Sequence, residues 1–108
     1  MPIPSDQDIL DVSEEIENCL WRAQEGERDE WLGEADSEVM HILRHLSNQE
    51  ALVVMDRVVA HLESKEGMPF ELIEEVFNNA NVSRQDLNAF RLAKQTPQAQ
   101  ASRVSPRM

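Results

Sequence analysis

The sequence predicts an all-α protein, a compact bundle of about five helices with a disordered C-terminal tail. Three observations lead there. Apolar residues recur at three- and four-residue spacing along most of the 108-residue chain. Glycine is scarce, with three in all, and no alternating run of Val, Ile and Thr suggests a strand. Capping residues and prolines stand where the apolar stripes begin and end.

The first helix is expected from about Asp6 to Ala23. Ser5 with Asp8 resembles a capping pair, and Ile9, Val12, Ile16, Cys19, Leu20 and Ala23 share one face. Trp21 sits beside that face. The next segment, Glu25 to Glu34, is acidic and bracketed by Gly26 and Gly33, so it reads as a loop with one turn around Trp31 and Leu32. A second helix is expected from about Ala35 to Leu46, with Val39, Ile42, Leu43 and Leu46 as its stripe. Ser47-Asn48-Gln49-Glu50 is a capping box that opens a third helix. Its wide apolar face (Ala51, Leu52, Val54, Met55, Val58, Val59, Leu62) marks it as the central helix, ending at Glu66-Gly67. Pro69 suits the first position of a fourth helix reaching about Asn79, with Phe70, Ile73, Val76, Phe77 and Ala80 inward. Asn78 to Asn81 is a turn, and Ser83 with Asp86 caps a fifth helix from Arg84 to Lys94 around Leu87 and Phe90.

Residues 1–95 therefore read as one helical domain, best specified over 35–94. Residues 96–108, rich in Pro, Gln, Ala and Ser, have little to bury and read as a disordered basic tail.

Composition narrows the function classes. One cysteine, Cys19, excludes an internal disulfide framework and fits a reducing, cytoplasmic setting. No apolar run approaches the length of a membrane span, and MPIPSDQD lacks the features of a secretory or basic transit signal. The formal net charge is -11, unevenly spread. Residues 1–34 carry -9, residues 35–81 carry -6, and residues 82–108 carry +4. An acidic body repels nucleic acid and anionic lipid and attracts cationic partners.

Leu72 to Lys94 resembles a helix-turn-helix, with Val82, Leu87 and Phe90 at its apolar positions. It departs from that pattern at Asn81, where Gly is frequent, and at Phe77, where Ala is frequent. The resemblance implies that Arg84, Gln85, Asn88 and Arg91 would face a DNA groove. The acidic bundle behind them opposes phosphate contact.

His41 and His45 are spaced for neighbouring positions on one helix, with Glu38 nearby and His61 on the next. Such a pair can hold zinc, but Ile42 stands where a metalloprotease needs Glu, and no metal or other cofactor is expected.

The acids Glu14, Glu15, Glu17, Glu25, Glu27, Asp29, Glu30 and Glu34 are interleaved with Trp21 and Trp31. Carboxylates that steer and tryptophans that anchor suit a basic protein surface. No phosphate-cradling loop or activated nucleophile points to catalysis. The leading expectation is a non-enzymatic regulator or adaptor binding a basic protein through Trp21, Glu27, Asp29, Glu30 and Trp31. A DNA-binding regulator ranks second, and an inhibitor that mimics DNA charge third. A homodimer is compatible with either, and no membrane partner is expected.

Overall fold

The computed structural model describes residues 3–95. Among these residues there are five helices and no strand: α1 (Asp6–Glu25), α2 (Arg28–Leu43), α3 (Asn48–Glu63), α4 (Phe70–Glu75) and α5 (Arg84–Gln95). The tail expected over 96–108 lies outside the described residues.

Local chemistry explains most helix starts. Ser5 Oγ accepts from the Asp8 amide at 3.1 Å and begins α1. At α3, Ser47 Oγ accepts from the Glu50 amide while Glu50 Oε1 accepts from the Ser47 amide, a complete capping box. Ser83 and Asp86 make the same reciprocal pair at α5.

The first correction concerns residues 28–34, which are helical rather than a loop. Leu32 and Ala35 are buried, and Trp31 packs on the core, so the α2 stripe starts a full turn earlier than the charge pattern implied. Asp29 and Glu30 fall in the first turn, where carboxylates suit the positive end of the helix dipole. The helix also ends earlier than expected, at Leu43. The fourth helix is only six residues long, and residues 76–79 continue as turns. Phe70, expected inward, is 65% exposed because it stands at the first position of that short helix.

Gly26 and Glu27 form a two-residue corner that folds α2 back along α1. α1 also packs on α3, and α3 carries both α4 and α5. The core draws on every helix: Ile16 and Leu20 from α1, Val39 from α2, Val54, Met55, Val58, Val59 and Leu62 from α3, Leu72 from α4 and Leu87 from α5. Leu52, Phe77, Ala80 and Phe90 are only partly buried at its edge. The buried Ser13 hydroxyl donates to the Ile9 carbonyl at 2.7 Å and leaves no orphan polar group there.

Candidate protein-binding surface

The residues expected to bind a partner do not form one patch. Trp21 is half-buried on the side of α1 that faces α3, and its indole Nε1 donates to Glu17 Oε2 at 3.0 Å. Glu17 also pairs with His61 Nε2 at 2.9 Å and lies 3.9 Å from Lys65 Nζ. Burial raises the Glu17 pKa, but the hydrogen bonds from Trp21 and His61 and the Lys65 charge outweigh it and hold it below the ordinary value. Trp21 thus belongs to the joint between α1 and α3.

Trp31 faces the other side. It packs on the core from α2, with the Arg22 guanidinium 5.0 Å from its ring centroid. Glu27 shares a groove of about 250 Å³ with these two residues, Glu25 and Gly26. Glu27, Asp29 and Glu30 are all exposed. Glu27 adopts φ 50° and ψ 47°, the left-handed region, and its side chain makes no cap hydrogen bond to α2. A side chain that does nothing for its helix start and sits in an unfavourable conformation is a candidate for a role outside the fold.

Further carboxylates line the seam between α1 and α2. Cys19 is buried there, and burial together with the charges of Glu15, Glu34 and Glu38 pushes its thiol pKa up. That keeps the sulfur protonated and unreactive. At the far end of the hairpin, Pro4, Asp8, Asp11, Val12, His41 and Ile42 line a groove of about 350 Å³. Among the described residues, none of Asp8, Asp11, Glu15, Glu27, Asp29, Glu30, Glu34 or Glu38 enters an ion pair.

The α5 cations are placed in the opposite way. Arg84 binds Glu74 through Nε at 2.8 Å and again through Nη2, reaches Glu63 at 3.4 Å, and lies over the rings of Phe70 and Phe77. Arg91 Nε donates to Asp56 at 2.6 Å and Nη1 to Glu63 at 3.2 Å. Lys94 donates to Asp56 at 3.1 Å. Both arginines are therefore held against the bundle, while Gln85 and Asn88 are exposed. The turn before α5 and the helix itself were readable from the sequence; these cross-helix partners were not.

The histidine pair also changes. His45 lies beyond the end of α2 with φ 69°, so His41 and His45 do not project from successive turns of one helix. His61 is committed to Glu17. Among the described residues no group of three or more His, Cys, Asp or Glu side chains is arranged to hold a metal ion. Nor is any helix among them long and apolar enough to cross a membrane.

Fold and surface together define a small all-α bundle with an acidic two-helix face. No protein-family model, curated protein or solved structure matches the chain.

Proposed function

We propose that this protein is a small, non-enzymatic adaptor or regulator that binds a basic protein surface through its acidic N-terminal half. The observation that carries this reading is the division of its charges. Asp56, Glu63 and Glu74 on α3 and α4 are occupied by Arg84, Arg91 and Lys94. Along α1 and α2, Asp6 and Glu17 are paired, but Asp8, Asp11, Glu15, Glu34 and Glu38, with Glu27, Asp29 and Glu30 at the corner, have no ion-pair partner among the described residues. Unpaired carboxylates on one face steer a cationic partner and suppress anionic ones.

The same division weighs against DNA recognition by α5. Phosphate contacts through Arg84 and Arg91 would first have to displace Glu63, Glu74 and Asp56, which are anchored in the same molecule.

The test is copurification of the full chain from its host at low and high salt, beside a Glu27→Lys, Asp29→Lys, Glu30→Lys variant. A basic partner should be retained at low salt, lost as salt rises, and recovered less by the variant. An identical set of bound proteins with and without the reversal would remove this surface from the reading.

A further inference from the structure

We propose that the groove between the start of α1 and the end of α2 receives an apolar side chain from a basic segment of the partner protein. This deepens the acidic-surface reading and rests on it. The groove has an apolar floor, formed by half-buried Val12, by Ile42 at 8% exposure, and by Pro4. Its rim carries Asp8 and Asp11, one helical turn apart on α1, both exposed and neither in an ion pair among the described residues. His41 closes the side toward α2.

Charge complementarity selects this groove and its occupant. The surface between α3 and α5, lined by Leu52, Val82, Ala89 and Phe90, is also apolar, but Asn48, Gln49 and Asp86 give its rim a single carboxylate. The hollow beside Asp56 and Glu63 already contains Arg91 and Lys94. The corner groove holds Arg22 beside Trp31, so a cation is in place there too. Only the Asp8 and Asp11 groove, of these four, combines an apolar floor with two carboxylates awaiting cations. From it, Glu15, Glu34 and Glu38 continue the negative charge along the seam around Cys19. A segment with an apolar residue flanked by Lys or Arg would bury that residue on Val12 and Ile42 and meet the carboxylates on either side.

The experiment uses the full chain, isotope-labelled, and an amphipathic Lys-Leu peptide, with the matching Glu-Leu peptide as control. Amide shifts on titration are followed by NMR. The expected result is saturable shifts centred on Val12 and Ile42 with the Lys-Leu peptide only. Asp8→Lys with Asp11→Lys should weaken binding roughly tenfold at low salt and far less at high salt. Val12→Ala should weaken it at both salts, because it removes floor rather than charge. Unshifted far-ultraviolet spectra of both variants confirm that the helices persist.

Equal binding of the two peptides overturns the proposal. So does binding lost in the Glu27, Asp29, Glu30 reversal but unchanged in the Asp8, Asp11 reversal, an outcome that keeps the acidic-surface reading and relocates the seat. If neither reversal changes binding, both readings fail. If the peptide binds only a chain ending at Gln95, the chain's own basic end is the occupant and the partner segment is excluded.

Discussion

Arg91 fastens α5 to Asp56 at the middle of α3. Its Nε donates to the Asp56 carboxylate at 2.6 Å and its Nη2 to the Asp56 carbonyl at 3.2 Å. The carboxylate also takes Lys94, and Arg91 reaches Glu63. Within α5 only Leu87 is fully buried, so these charged hydrogen bonds are a large part of what holds the helix down.

Arg91→Ala should therefore cost roughly 1–3 kcal/mol and loosen α5 ahead of the rest of the bundle. Hydrogen exchange checks it: α5 amides should lose protection while those of α1 and α3 keep theirs. Replacing Arg84 and Arg91 together should cost more, although neither lies on the Leu87 stripe. Unchanged α5 protection in the single variant would mean that Leu87, Phe90 and the remaining Arg84 and Lys94 pairs secure the helix without Arg91.

Acid should release the same joint. Burial raises the Asp56 pKa, but hydrogen bonds from Arg91 and Lys94 and their charges more than reverse it, so it lies below the ordinary value. Glu17 is lowered likewise. A depressed folded pKa gives stability that is complete above the unfolded value, about pH 4, and is lost as pH falls through the folded one. Melting temperature should drop on the acid side of about pH 4, and Asp56→Asn should lose less over that interval than the unaltered chain.

Asp36 runs the other way. Its Oδ1 is buried without a hydrogen-bond partner, and burial together with the Glu75 charge raises its pKa. A raised folded pKa gives stability that is complete below the unfolded value and is lost as pH rises through the folded one. Asp36→Asn should thus stabilise the protein at neutral pH, by on the order of 1 kcal/mol, and change little in acid. Denaturant titrations at the two pH values check it; a neutral or harmful effect at pH 7 would show that the ionised carboxylate is compensated.

Two backbone positions sacrifice stability. Glu27 is left-handed, and Gly33 stands inside α2 where an added Cβ would meet nothing within 4 Å. Glu27→Gly relieves the first and Gly33→Ala the second, each worth about 0.5–1 kcal/mol. Thermal melts should rise for both. A lower melting temperature for Gly33→Ala would contradict the open space around it.

In α3, Leu62 is fully buried, whereas Leu52 is half-buried beside Phe90. Leu62→Ala should cost roughly 2–5 kcal/mol. Leu52→Ala should cost clearly less, because its side chain already meets solvent. Equal costs in denaturant unfolding would place Leu52 in the core after all.

The sequence by itself determined the helical class, the caps and the central stripe. Ser47 with Glu50, and Ser83 with Asp86, bond across three residues, and Met55, Val58 and Leu62 follow the helical period. Such signals are local, so no knowledge of the neighbours is needed to read them. The acidic candidates Glu27, Asp29 and Glu30 were legible for the same reason: charge runs are visible in one dimension. The tertiary structure alone decided which charges remain available. Arg91 meets Asp56 across 35 residues and His61 meets Glu17 across 44, pairings set by how α5 and α1 lie on α3. It also decided that residues 28–34 are helical, because Leu32 gains its burial from the packed hairpin rather than from its own acidic, glycine-flanked segment.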